Sequence, residues 1–335
     1  MSTVIGAIVV FMLVVLLHEA GHFTVAKLCG IKVNEFSIGM GPKLYSKQKG
    51  ETKYSLRALP IGGYVAMEGE EEASDDPRSF NNVSVGKRMA VVIAGAFMNF
   101  VLAIVAFFIC ALIIGVSTNN IGEIIPQTPA YHSELKVNDK VLKVNNVETD
   151  NWQKTTNLIA STPKGEDVNL MVQRNGKNIN IKIKPEYKDG RAVIGIKTKT
   201  EKKFGHALKA GFLNTWYIVE SVFQVLKMLF TGEASVKMLA GPVGVISMIG
   251  QETSKGFIYL VNILAIISAN LGVVNLLPIP ALDGGKFIFL LIEKITGKPI
   301  SEKVEGYLSV AGFGLLIVLM LYVTVFGDLS RIFGR

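Results

Sequence analysis

The chain has 335 residues, half of them apolar, a formal net charge of +8 and a mean hydropathy of +0.40. That hydropathy excludes an ordinary soluble domain and points to membrane-spanning segments. The basic residues border the apolar runs, and the sequence holds neither a phosphate-cradling glycine loop nor an RNA-binding aromatic pattern, so nucleic acid is excluded as a partner.

Residues 1–28 form the first apolar run, continuing from Val4–Leu17 through His18, Glu19 and His22 to Leu28. It lacks the basic start and small-residue cleavage site of a signal peptide, so it reads as a retained transmembrane helix. Residues 29–88 form a loop that the positive-inside bias places on the cytoplasmic side, with Lys32, Lys43, Lys47, Lys49, Lys53 and Arg57 early and Lys87 and Arg88 late. The acidic run Glu68–Glu72 carries little topological weight. Residues 89–116 form the second span. Cys29 and Cys110 lie at or within these runs and read as small apolar residues, not as a disulfide.

Residues 117–203 change texture to short alternating segments bounded by turn residues. VNLMVQ and NINIKIK flank Arg174-Asn175-Gly176-Lys177, an Asn-Gly hairpin signal, and Trp152–Ala160 reads as a short helix. The span LKVNDKVLKVNNVETDNWQK resembles the core of a PDZ domain, with Asn138-Asp139 where many members have Gly-Asp. Such domains bind an extended peptide at a sheet edge; the competing reading is a rigid spacer without ligand.

Residues 204–256 are expected to form amphipathic helices on the membrane surface, because Asn214, Glu220, Gln224 and Lys227 interrupt the apolar stretch Gly211–Phe230. A third span, 257–283, ends in a broken segment. Residues 284–306, with Lys286, Lys294, Lys298 and Lys303, read as a cytoplasmic loop, 307–327 as a fourth span and 328–335 as a tail. An odd number of extra crossings within 204–256 would put that lysine-rich loop outside. The expected fold is a polytopic α-helical membrane protein of about four transmembrane helices. It carries a β-rich PDZ-like extracytoplasmic domain, and both termini are extracytoplasmic.

His18, Glu19 and His22 form H-E-x-x-H, which on a helix sets two imidazoles on one face with the glutamate beside them. A bound zinc acidifies a water, and Glu19 is placed to take its proton. An ionisable residue inside a membrane helix costs about 2.5–3.5 kcal/mol on insertion scales, so a functional reason is expected. Two of the chain's four histidines are here, and His132 and His206 read as solvated surface residues. A catalytic zinc takes three protein ligands. The third candidate is Asp283, which follows Pro278 and Pro280 and precedes Gly284 and Gly285 in NLLPIPALDGGK, where a helix must break. Irregular backbone at membrane depth lines a cavity or is buried in protein. Both helices run inwards, so histidines and aspartate meet near the cytoplasmic face.

With HEAGH in the first span and NLLPIPALDGG in a later one, the whole chain resembles the site-2 protease family of intramembrane zinc metalloproteases, and within it the RseP-like bacterial members. The resemblance implies one Zn2+ per chain on His18, His22 and Asp283, with Glu19 as general base. It implies that Asn275, Pro278 and Pro280 contact the substrate or support the site. Phe36–Ser46, with Gly39 and Gly41, would fold as a β-hairpin near the active site. A strand around Tyr54–Ala58 or Tyr64–Met67 would then offer its edge to the substrate. Gly95 and Asn99 echo a family Gly-Pro-x-x-Asn pattern with Ala96 replacing the proline, giving Asn99 a supporting or substrate-binding role. One PDZ-like domain fits the space where many relatives have two.

The implied function is hydrolysis of transmembrane segments of single-span proteins in the bacterial cytoplasmic membrane. Anti-sigma-factor-like proteins already cut on their outer side are the first substrates implied, and remnant signal peptides the second. Peptide or substrate ends would meet the PDZ-like domain, and the lipid bilayer is the remaining partner. Two other classes compete. A membrane adaptor with structural zinc has no need of Glu19. An ion transporter is opposed by the absence of an inverted repeat.

Overall fold

The structure is a computed structural model that describes residues 3–330 apart from 71, 73, 234 and 236–238, with backbone only at 61 and 302. Glu71 of the acidic run, the first two residues of the expected first span and most of the expected tail lie outside the described residues. In chain order the elements begin with α1 (Thr3–Leu28), β1 (Val33–Lys49), β2 (Thr52–Met67) and α2 (Val85–Ile114). Then come β3 (Val116–Ile124), β4 (Lys140–Val144), β5 (Val147–Glu148), α3 (Trp152–Ala160), β6 (Val168–Arg174) and β7 (Lys177–Ile183). Next are β8 (Glu186–Lys188), β9 (Arg191–Val193), β10 (Ile196–Glu201), α4 (Phe204–Thr231) and α5 (Pro242–Lys255). The last are α6 (Phe257–Asn275), α7 (Asp283–Thr296) and α8 (Glu302–Val323), which runs into a π-helical turn at Thr324–Leu329. They divide into two compact units, Met1–Phe108 with Gly211–Arg335, and Ile109–Ala210.

Four helical stretches among the described residues are long and apolar enough to cross a membrane: Thr3–Leu28, Val85–Ile114, Phe257–Asn275 and Lys303–Leu329. At 1.5 Å per residue even the shortest reaches about 28 Å, close to the hydrocarbon thickness of about 30 Å. In the last, Tyr307, Val310, Phe313, Leu315 and Val318 are exposed, a surface suited to lipid. Small residues let the helices approach. A Cβ on Gly21 of α1 would stand 2.4 Å from the Ala94 carbonyl oxygen of α2, and one on Gly272 of α6 would stand 3.2 Å from that of Ala96. Ala7, Val10 and Val14 of α1 share a core with Ile249 of α5 and Leu260, Ile263 and Leu264 of α6.

Residues 204–256 form two helices, neither among the four spanning stretches. They do not stand apart as surface helices. Gly211 packs against the Ile104 carbonyl of α2, Ile218 joins Ala106, Phe107 and Ala265, and Ile249 of α5 is fully buried against α1 and α6. Phe212, Leu213, Trp216, Tyr217 and Phe223 remain exposed on α4, which keeps it amphipathic. Most of the expected connection at 284–306 is itself helical, α7 and the start of α8. Its lysines were read for their charge. The 3.6-residue spacing that buries Leu290 and packs Phe287 beside it is what folds FIFLLIEKIT as a helix. Arg88 at the start of α2 anchors α7 through Glu293, with contacts of 2.5 and 3.0 Å.

β1 and β2 each bend and pair twice. Phe36 lies opposite both Val65 and Tyr54, and Ser46 opposite Ser55, so four adjacent segments run in the order 43–49, 52–57, 33–38 and 63–67. The bends fall at Gly39, Gly41 and Gly62, with φ of +83°, +80° and +84°, values that glycine adopts without a Cβ clash. Tyr54–Leu56 is therefore interior, and 63–67 pairs on one side only among the described residues.

The second unit is built on a sheet in the order β10-β3-β4-β6-β7, with β5 pairing β4 and β8-β9 as a separate ribbon. Asn175 and Gly176 both take positive φ, 49° and 79°, and join β6 to β7 with Arg174 opposite Lys177. Ile121, Val141, Val144, Ile159, Leu170, Val172 and Ile181 fill its core. Asn138 takes φ 73°, the left-handed conformation that glycine most readily supports. Asp139 beside it is 1% exposed and receives two 2.7 Å bonds from the Arg174 guanidinium.

Candidate metal centre

Helix α1 puts His18 and His22 one turn apart on one face, their rings edge to face with centroids 4.8 Å apart. The two Nε2 atoms are 3.2 Å apart. Asp283 arrives from a different part of the chain. Helix α6 ends at Asn275, and the prolines at 278 and 280 prevent its continuation. The linking segment is tightly folded, with Ile279 N donating to Leu277 O at 2.7 Å and Leu282 N to Ile279 O at 3.1 Å. Ala281 sits at φ 82°, a conformation costly for alanine and held by its surroundings. Gly284 and Gly285 allow the fold-back, since a Cβ on either would come within 2.4 Å of a carbonyl oxygen of that segment. Asp283 is thus the first residue of α7, where the helix dipole favours a carboxylate.

Asp283 Oδ2 lies 3.3 Å from His18 Nε2 and 3.5 Å from His22 Nε2. Among the described residues it is buried without a hydrogen-bond donor. The three side chains are a cluster able to hold one metal ion. A tetrahedral zinc with bonds of about 2.0–2.1 Å requires ligand atoms about 3.3–3.4 Å apart, and the three observed edges bracket that value. The chemistry fits as well. His22 Nδ1 faces the Val91 carbonyl at 2.8 Å, which can only accept, so the proton is on Nδ1 and the Nε2 lone pair points into the cluster. Two imidazole nitrogens and a carboxylate oxygen converging in this way are a donor set that suits a metal cation.

Two backbones make room for this group. A Cβ on Gly95 of α2 would stand 2.3 Å from His22 Nε2 and 2.6 Å from His18 Cε1, so only glycine lets α2 pass. On the other side, a Cβ on Gly63 would stand 3.4 Å from Glu19 Cγ, which sets Glu19 against the one-sided segment 63–67.

The other expected residues separate. Asn275 stays near the cluster, its Nδ2 3.5 Å from His18 Nδ1. Pro278 is exposed on the loop, while Pro280 packs against Gly312 of α8. Gly39 and Gly41 lie at the corner of β1 against Leu59, not on the free edge. Asn99 is fully buried against His18, with no surface for a substrate to touch. His132 and His206 are exposed, as read from the sequence. Sequence reasoning missed Ser268, whose buried hydroxyl donates to the Asn99 carbonyl at 2.8 Å; a serine in an apolar helix was the available signal. It also gave no part to Asp328, buried in the π-helical turn and accepting from Gly241 N at 2.9 Å.

Comparison with known proteins agrees with this chemistry. The model of peptidase family M50 matches residues 6–319. A putative zinc metalloprotease of Clostridium acetobutylicum is 43% identical over 96% of both chains. The zinc metalloprotease RasP of Geobacillus kaustophilus is 32% identical over 99% of both. The regulator of sigma-W protease RasP of Bacillus subtilis is 31% identical, again over 99% of both.

Proposed function

The chain belongs to peptidase family M50, the site-2 proteases, as a multi-pass membrane zinc metalloprotease, and on that premise we propose that His18, His22 and Asp283 hold the zinc and Glu19 is its general base. The observation that carries the assignment is the convergence of three metal-competent atoms from α1 and the start of α7, with Glu19 next in sequence and turned toward a free strand segment. When bound, zinc supplies a Lewis acid for the scissile carbonyl and lowers the pKa of water. Glu19 takes the proton from the attacking water on its carboxylate and returns it to the leaving nitrogen.

A membrane helix hides its carbonyls in i→i−4 bonds, so a substrate segment must be extended before it can be cut. The segment 63–67 supports that step, because its unpaired side can accept a further strand within reach of Glu19. Asn275, partly exposed at the end of α6, is left to bind the extended substrate. The substrates we propose are single-span membrane proteins already trimmed outside, of the anti-sigma-factor kind; the name of the Bacillus subtilis relative supports that class. The second unit is proposed as a single PDZ-like domain taking peptide or substrate ends. The outer edge of β10, without a partner strand among the described residues, and the left-handed Asn138 beside the buried Asp139 support this reading. Its side of the membrane is extracytoplasmic, and the zinc site lies towards the cytoplasm, on the charge bias of the flanking loops.

Purified full-length protein in lipid nanodiscs should cut a single-span model peptide within its membrane segment, with the site located by mass spectrometry. Glu19→Gln should reduce that rate at least about 100-fold, in line with the loss of a general base. Native-rate cleavage by Glu19→Gln would remove the base from the scheme.

A further inference from the structure

His22 has a fixed tautomer because Val91 offers only a carbonyl. His18 has a backbone acceptor by its ring as well, the Gly95 carbonyl of α2, but side-chain amides also face it. Its Nδ1 meets two amides, Asn99 at 3.2 Å and Asn275 at 3.5 Å. An amide can present either end, and the two ends have opposite consequences. As placed, Asn99 turns its Nδ2 to the ring, and its Oδ1 is buried without a partner among the described residues. A donor at Nδ1 would leave the ring proton on Nε2, pointing at His22 and Asp283, where His18 could not act as a ligand. Turning the amide by half a revolution resolves both faults. Oδ1 then accepts from Nδ1–H, the orphaned acceptor is satisfied, and the His18 Nε2 lone pair joins that of His22.

We propose that Asn99 is a positioning residue: its side-chain oxygen accepts the His18 Nδ1 proton and so commits Nε2 to the zinc. The surroundings fit that role and not substrate contact. Asn99 is 0% exposed, and its own carbonyl is held by Ser268 of α6 at 2.8 Å. It also lies one turn from Gly95 on α2, so the residue that makes space for the rings and the one that orients His18 share a face. Asn275, being partly exposed, is free to leave His18 when a substrate arrives, whereas Asn99 is not. The proposal rests on the assignment of His18 as a zinc ligand.

Three variants of the full chain in nanodiscs separate the possibilities by competitive zinc chelation. Asn99→Leu keeps the size and removes the acceptor; Asn99→Asp keeps the acceptor and adds a charge. If Asn99 accepts from His18, the aspartate variant holds zinc within a few-fold of wild type and the leucine variant loses about 10- to 100-fold in affinity. A residue that merely packs would give the reverse order, since a buried charge is costlier than a buried leucine; that order, or equal affinity in all, overturns the proposal. His18→Ala is the third arm. If it leaves zinc binding intact, the ligand assignment itself fails; if it abolishes binding while Asn99→Leu does not, only the role of Asn99 fails. A variant that does not fold leaves a direct reading on the wild type. With histidine 15N labelling, His18 should show a protonated Nδ1 and a bare Nε2, and a proton on Nε2 would refute the inference.

Discussion

At the scale of single residues, the metal site depends as much on what is missing as on what is present. Gly95 carries no side chain because two imidazoles occupy the place a Cβ would take, 2.3 Å from His22 Nε2. Alanine there should favour helix α2 by about 0.5–1 kcal/mol on propensity alone. We nevertheless expect Gly95→Ala to weaken zinc binding by about 10-fold or more, because the rings must shift to admit the methyl group. Chelator competition would measure this, and unchanged affinity would show that the rings have slack. The residues proposed as ligands stand out in the sequence: H-E-x-x-H has a helical spacing, and Asp283 stands where prolines and glycines forbid a regular helix. Asn99 was noticed only through a family pattern. Its contact with His18 joins residues 81 positions apart, which no local periodicity reveals.

At the scale of elements, β1 and β2 fold into four adjacent segments and leave 63–67 as the edge beside Glu19. The sequence offered two stretches for that edge, Tyr54–Ala58 and Tyr64–Met67, and could not choose, because strand order depends on where the glycine corners turn the chain. Gly63 is the sensitive point. A Cβ there would meet the Ser37 carbonyl oxygen at 2.8 Å and Glu19 Cγ at 3.4 Å. Valine is a better strand former than glycine. Even so, Gly63→Val should lower the cleavage rate by about 10- to 100-fold, the effect of a misplacement near 1 Å, with zinc content per chain unchanged. A normal rate would mean that this edge does not guide the substrate. Helix α7 shows the opposite limit of sequence reading. Its lysines signalled sidedness, and that signal obscured the amphipathic spacing that places Arg88 against Glu293. The short elements of the second unit were read well, since Asn175-Gly176 and Trp152–Ala160 are specified by local chemistry.

At the scale of the molecule, each of the four expected spans overlaps one of the four helical stretches that are long and apolar enough to cross among the described residues, the third ending at Asn275 and not at 283. Counting them succeeded because length and hydropathy are summed over about 20 residues and tolerate local error. The bundle's interior was not readable in the same way. Helices α4 and α5 look amphipathic in isolation, and only packing shows Gly211 on α2 and Ile249 within the core of α1 and α6. That bundle brings residues 18, 22 and 283 to within 4.8 Å of one another, which is the basis for assigning them one zinc. Elemental analysis of the purified full-length chain tests the assignment most directly. We expect one zinc per chain in the wild type and in Glu19→Gln, falling close to zero in His22→Ala and Asp283→Ala while the proteins remain folded. Zinc retained at the wild-type level by folded Asp283→Ala would contradict the site described here.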